Sequence, residues 1–273
     1  MNQKIKTICS YMFKGGVGKT TITSMLGFEL SKYGKTLLID ADQQGNLSSI
    51  FLNEDEINPE TDFLAFIKNL TENIQNEKQS IEKIATKVRE ENEEDGFKGL
   101  FILPTKENDD RLRKYLDNTA KEEPFALRMA FQQIVHKAEQ AGFKYLLFDL
   151  PPSAGSYEKI TLSVVNEIIP IIEPEKFAME SLKKFYKEII EKLNLQFGAK
   201  LTLKYLIVNK ENLSKKAHQF YLEDIKSSPF KEIFEIKDSN AISSATTMQV
   251  VFQENNPKHL ISKNIGRLAE LIK

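Results

Sequence analysis

A chain of 273 residues with 38 Lys/Arg against 39 Asp/Glu, 41% hydrophobic and 28% charged, has the balance of a water-soluble globular protein. No apolar run approaches the roughly 18 residues of a membrane-spanning helix, and the N-terminal "MNQKIKTICSYMF" lacks the apolar segment and cleavage site of a secretory leader, which points to the cytoplasm. One cysteine, Cys9, excludes an internal disulfide, and three scattered histidines, His136, His218 and His259, lack zinc or iron–sulfur spacing.

Residues 5–12 (IKTICSYM) read as a buried strand running straight into the glycine-rich stretch FKGGVGKTT, 13–21. A helix is expected from Thr20 to Tyr33, because Ile22, Met25, Leu26, Leu30 and Tyr33 recur at helical spacing and Gly34 is placed to end it. KTLLID, 35–40, follows as a second strand and closes a strand–loop–helix–strand unit. The next segment, about 53–98, carries 13 acidic against 6 basic residues and reads as helices at the margin of the sheet, with EENEEDG (90–96) as an exposed loop. Outside it the chain holds 32 basic against 26 acidic residues, so a basic face is available for an anionic partner. LFILP (100–104), YLLFDL (145–150), EIIPII (167–172) and LKYLIVN (203–209) are short apolar strands separated by helical stretches. The expected fold is therefore α/β: one domain over 1–273, with a mostly parallel twisted sheet and helices on both faces.

The glycine-rich stretch fits the phosphate-loop pattern G-x-x-x-x-G-K-[ST] except that Phe13 stands where the first glycine belongs and Lys14 adds a second cation. A helix N-terminus after such a turn offers free N–H groups and the positive end of its dipole to an anion. Gly15, Gly16, Val17 and Gly18 let the backbone wrap phosphates, Lys19 reaches the β- and γ-phosphates, and Thr20, followed by Thr21, supplies a hydroxyl for Mg²⁺. Acidic groups that manage a metal and an attacking water belong at neighbouring strand ends. LLIDADQQGN (37–46) puts Asp40 and Asp42 there, and LLFDLPPS (146–153) adds Asp149.

These motifs, with IIPIIEPEKFAMESL (168–182) and LIVNK (206–210), resemble the ParA-type partition ATPases of the MinD/ParA group, the P-loop NTPases with a deviant Walker A motif. The resemblance implies ATP and Mg²⁺ as ligands. It also implies a homodimer in which Lys14 crosses to the phosphates of the second subunit, like an arginine finger supplied in trans. Asp42 corresponds to the residue that positions the hydrolytic water, Asp40 and Asp149 to metal residues acting through water, and Asn209 to the residue that reads adenine. Nonspecific duplex DNA and a ParB-like centromere-binding partner are the implied partners, and the nucleoid the implied site of action.

Two departures limit the transfer. Gln43 replaces a common proline in D-x-D-P-Q-G-N, and 235–256 lacks an arginine-containing pattern, so DNA contacts do not carry over residue by residue. Lys215, Lys216, Lys237, Lys258 and Arg267 are the candidates, from a C-terminal region (198–273) with 12 basic against 8 acidic residues. No helix-turn-helix segment precedes the loop, so operator reading through one is not expected. The alternative is a MinD-like membrane switch using an amphipathic helix in 259–273, where basic residues are sparse and Phe and Trp absent, so no stable membrane association is expected.

Overall fold

The computed structural model describes residues 4–72, 80–92, 94, 96–198, 201, 203–248 and 250–273. Among them, eight strands form one sheet: β1 (Lys6–Tyr11), β2 (Thr36–Asp40), β3 (Thr86–Asn92), β4 (Phe97–Leu103), β5 (Tyr145–Asp149), β6 (Glu167–Ile172), β7 (Tyr205–Glu211) and β8 (Glu232–Lys237). The order is β3-β4-β2-β5-β1-β6-β7-β8, parallel throughout except for the antiparallel β3–β4 pair. β2 and β5 are buried along their whole length, as strands covered on both faces must be. Chain order reverses direction at β1, whose neighbours are β5 and β6. In open α/β sheets the crevice beyond the strand ends at such a reversal is where ligands bind.

The described helices are α1 (Lys19–Leu30), α2 (Ser48–Phe51), α3 (Phe63–Glu72), α4 (Ile81–Ile84), α5 (Asp110–Glu122), α6 (Pro124–Gln140), α7 (Ser156–Leu162), α8 (Ala178–Phe185), α9 (Lys192–Phe197), α10 (Lys216–Lys226), α11 (Asn240–Thr247), α12 (Phe252–Asn255) and α13 (Leu260–Ile272), with a 3₁₀ turn at Glu54–Glu56 and a π segment at Tyr186–Glu191 joining α8 to α9. α1 ends three residues before Tyr33, and the Gly34 N–H closes the turn on the Leu30 carbonyl at 3.1 Å.

The acidic segment differs from the helical expectation. It does hold α3 and α4, but Thr86–Asn92 is an edge strand, and residues 90–92 belong to it rather than to a loop. Its charge is compatible with an edge, where one side faces water and lysine or glutamate discourages pairing with another chain. Arg89 fixes the strand to the core: its guanidinium lies 4.1 Å from the Phe97 ring centroid and 5.0 Å from that of Phe28. Residues 73–79 lie outside the described residues.

At the other edge, α13 packs on α1 and β8. Ile261, Ile265, Leu268, Ala269 and Ile272 are all buried there, while Leu260 and Leu271 stay partly exposed. Among the described residues no helix is long and apolar enough to cross a membrane.

Candidate nucleotide site

The phosphate loop leaves the end of β1 and opens into α1. Gly16 and Gly18 have φ of +75° and +95°, the region that favours glycine, and Gly18 occupies the N-cap position of α1 without a side chain to block its free N–H groups. Lys19 is buried at 6% exposure, and its ammonium donates to the Lys14 carbonyl at 3.1 Å, so it is held under its own loop. Burial pulls its pKa down, against the pull of Asp149 and Asp42.

Two side chains from β7 support the loop from below. Asn209 Nδ2 donates to the Val17 carbonyl at 2.8 Å, and Lys210 Nζ to the Gly16 carbonyl at 2.5 Å. Successive side chains on a strand normally point to opposite faces. Here Lys210 adopts φ +55° at an irregularity in the β7–β8 pairing, and both side chains reach the same loop. The Asn209 amide is thus bonded to the phosphate loop itself, a role the sequence comparison with adenine readers does not suggest.

The carboxylates gather because β2 and β5 are neighbours in a register that sets Asp40 opposite Asp149. Thr20 Oγ1 donates to Asp149 Oδ2 at 2.7 Å, while Asp149 Oδ1 is buried without a hydrogen-bond partner. Burial and the nearby Asp40 push the Asp149 carboxyl well above its ordinary range. An orphaned carboxylate oxygen beside a threonine hydroxyl is the environment a hydrated cation would relieve. Asp40 is more constrained. Its Oδ2 accepts both the Ser48 N–H (2.8 Å) and the Ser48 hydroxyl (2.7 Å), its Oδ1 accepts the Asp42 N–H at 3.3 Å, and burial pushes its carboxyl up to about 7. Asp42 lies just beyond β2; its Oδ1 accepts the Gln44 N–H at 3.1 Å. Burial raises Asp42, and Lys19 and Arg113 oppose the rise. Among the described residues no three acidic, histidine or cysteine side chains form a metal cage, so a cation here would complete its shell with nucleotide and water.

Gly45 shows why the D-x-D-x-Q-G-N stretch needs its glycine. Its φ is +65°, and a Cβ would meet the backbone of Lys106 and Glu107 at 2.9 Å. Gln43, in the place of proline, accepts the Asp109 N–H through its carbonyl at 2.9 Å. That bond ties the stretch to the start of α5, which carries Arg113.

Arg113 was not signalled by any motif. Its Nη1 donates to Glu158 Oε1 (3.0 Å) and to Ser153 Oγ (3.1 Å), and its Nε to Asp117 Oδ2 (2.7 Å). Glu158 is fully buried, and the Ser153 hydroxyl donates to the same Oε1. Ser153 belongs to the D-x-P-P-S stretch after β5, so this cluster braces the loop that follows Asp149.

Lys14 is placed differently from Lys19. Its side chain is 48% exposed and its ammonium lies 2.7 Å from both Glu173 Oε2 and Glu175 Oε2. It lines an apolar groove of about 210 Å³ with Met12, Val17, Ile172 and Phe177, the last of which is 57% exposed.

The DNA candidates do not form one patch. Lys215, Lys216, Lys237 and Lys258 are exposed. Lys237 ends β8 and Lys215 and Lys216 follow β7, which puts these three at the end of the sheet that carries the phosphate loop. Arg267 is paired with Glu232 at 3.1 Å, and Glu232 begins β8. A six-residue strand places the two ends about 16 Å apart.

A family profile described as "AAA domain" matches residues 5–203. The chain belongs to this family, in its ParA-type branch of partition ATPases. An uncharacterized protein of Borreliella burgdorferi is 24% identical over 98% of this chain and 99% of its own length. The chromosome partitioning protein ParA of Myxococcus xanthus is 26% identical over 85% of this chain and 74% of its own. Among solved structures, an Asp-to-Ala variant of McdA from Cyanothece in complex with ATP superposes with a TM-score of 0.76 at 20% identity, over 99% of this chain and 98% of that one. A plasmid partition protein from Borrelia burgdorferi does so with a TM-score of 0.70 at 23% identity, over 98% of both chains. These likenesses establish the P-loop ParA/MinD fold, as the motifs of the chain lead one to expect.

Proposed function

We propose that the chain is an ATP-driven DNA-partition switch. ATP binding at the phosphate loop pairs two copies, the pair holds duplex DNA without reading its sequence, and slow hydrolysis, stimulated by a ParB-like centromere-binding partner, releases it. In this reading residues 1–273 work as one ATPase unit in the cytoplasm, on the nucleoid.

The observation that carries the reading is the different placement of two lysines, which we read as a division of labour. Lys19, buried under its own loop, serves phosphates bound by its own copy. Lys14, half-exposed beside an apolar groove, is available to phosphates bound by another. A cation that arrives only on pairing stabilises transition-state charge only in the pair. Mg²⁺, when bound with ATP, neutralises charge on the β- and γ-phosphates; Thr20 would ligate it, with Asp149 and Asp40 behind it through water. Asp42 orients the attacking water and accepts a hydrogen bond from it. Burial makes its carboxylate a better acceptor, while Lys19 and Arg113 favour the charged form. A membrane-docking switch would need a free apolar helix face, and that of α13 is packed on α1 and β8, which supports the DNA reading.

The test is DNA binding titrated with salt in ATP, ADP and no nucleotide, on two unrelated duplexes, alongside ATPase activity with and without DNA and the centromere-binding protein. If each copy neutralises about three phosphates, log K should fall with log[salt] at a slope of about −5 in ATP alone. Sequence-selective binding, or binding indifferent to nucleotide, would rule the reading out.

A further inference from the structure

Glu173, just beyond the end of β6, receives lysines from two separate elements. Its Oε2 accepts Lys14 Nζ at 2.7 Å and its Oε1 accepts Lys210 Nζ at 2.9 Å. Lys14 is held again by Glu175, and Lys210 again by the Gly16 carbonyl. The geometry is set by backbone. The Glu175 N–H donates to the Glu173 carbonyl at 2.8 Å, closing a tight turn about Pro174 that presents both carboxylates to Lys14. The left-handed φ of Lys210 turns its side chain to the same spot.

The two glutamates are not equivalent. The Glu173 side chain is 11% exposed and that of Glu175 is 54% exposed, so Glu173 is the buried anchor and Glu175 the outer jaw. Burial alone would raise the Glu173 carboxyl, but the two lysines hold it below its ordinary value. Having two lysines matters for release. When Lys14 leaves, Glu173 keeps Lys210, and no buried charge is left unpaired.

We propose that Glu173 is a positioning residue: it holds Lys14 beside its own phosphate loop in the nucleotide-free chain, and release of Lys14 from it sets the protein concentration at which ATP pairs two copies. The proposal rests on the reading that Lys14 acts on a second copy. An ammonium bound by two carboxylates in its own chain must exchange them for phosphates across the interface. The γ-phosphate adds the charge that makes this exchange favourable, so the latch also sharpens the distinction between ATP and ADP.

Two measurements test it. In nucleotide-free protein, acylation of Lys14 by an amine-reactive ester, followed by mass spectrometry with Lys121 as the reference amine, should be several-fold faster in Glu173→Gln than in wild type. Equal rates in the variant would overturn the latch without touching the pairing of copies. Sedimentation with ATP should then show Glu173→Gln pairing at about tenfold lower protein concentration, two half-exposed ion pairs being broken per dimer. Faster acylation with unchanged pairing would overturn the control of assembly. Failure of wild type itself to pair with ATP would overturn the reading of Lys14 and this proposal together. The double variant Lys14→Ala/Glu173→Gln should pair no better than Lys14→Ala, since the gain acts through Lys14; a gain that survives in the double variant would refute the latch. Thermal melting of Glu173→Gln, expected near wild type, guards against a folding defect.

Discussion

Replacing Gly18 by alanine should damage the site through one identifiable contact. A Cβ built there lies 2.3 Å from Asn209 Nδ2, a separation that real atoms do not tolerate. Asn209 has little freedom to yield, being buried at 7% exposure and bonded to the Val17 carbonyl at 2.8 Å. Gly18 also sits at φ +95°, where an L-residue incurs roughly 1–2 kcal/mol of strain. If Asn209 moves away, its bond to the loop adds about 1 kcal/mol. The sum is a loss of about 2–3 kcal/mol in urea unfolding and, because the displaced loop is the phosphate cradle, at least about a tenfold loss in affinity for a fluorescent ATP analogue. The contact can be isolated by a double-mutant cycle. Asn209→Ala removes both the obstacle and the bond, so Gly18→Ala in that background should retain only the backbone strain, and the two losses should fall short of adding by about 1 kcal/mol. Full additivity would refute the claim that Asn209 is what the methyl group meets, and an alanine variant with wild-type stability and ATP affinity would refute the loop geometry altogether.

The remaining predictions concern the charged groups. Lys19→Ala should abolish tight ATP binding, while Lys14→Ala should bind ATP as a monomer and hydrolyse it at least about a hundredfold more slowly, by analogy with fingers supplied across an interface; nucleotide titration and phosphate release distinguish the two, and equal loss of binding in both would remove the assignment of Lys14. Asp42→Ala should leave a persistent ATP-dependent dimer visible by light scattering where the wild-type dimer decays, and a strictly monomeric variant would count against its role with the water. Asp40, raised to about 7 in the fold against an ordinary value of 3.8, binds its proton more tightly when folded. Its contribution to stability is therefore full below the ordinary value and lost as pH rises towards 7, and stays lost above that. Asp40→Asn should flatten this part of the fall in nucleotide-free protein, and an identical pH dependence of urea midpoints for variant and wild type would contradict the buried carboxylate.

Legibility in the sequence followed burial. β2, β5 and β6 were readable because strands covered on both faces are nearly continuous apolar runs, and the phosphate loop was readable because its glycines and lysine fall within five successive residues. β3 was not. TKVREEN has no apolar face, and it is a strand only because it pairs with β4 and stacks Arg89 on Phe97, contacts that no local pattern announces. β8 carries a weaker signal: in EIFEIK, Phe234 and Ile236 alternate inward at period two. Arg113 and Glu158 meet only because α5 and α7 are packed together, and their pairing is invisible along the chain.

The division between legible and illegible runs through the site itself. Each of Asp40 and Asp149 could be read as a carboxylate ending a strand, but their meeting depends on β2 and β5 being neighbours in one register, a property of the sheet. The same holds for the loop cations. Sequence spacing marks Lys14 as an extra charge beside Lys19, whereas the turn around Pro174 and the left-handed Lys210 decide that Glu173 holds it. Chemistry of the phosphate kind is written locally, since a backbone cradle needs only consecutive residues. Control over when that chemistry runs is written in contacts between strand ends, so variants at Glu173 should alter the response to ATP concentration and to pairing before they alter the phosphate loop.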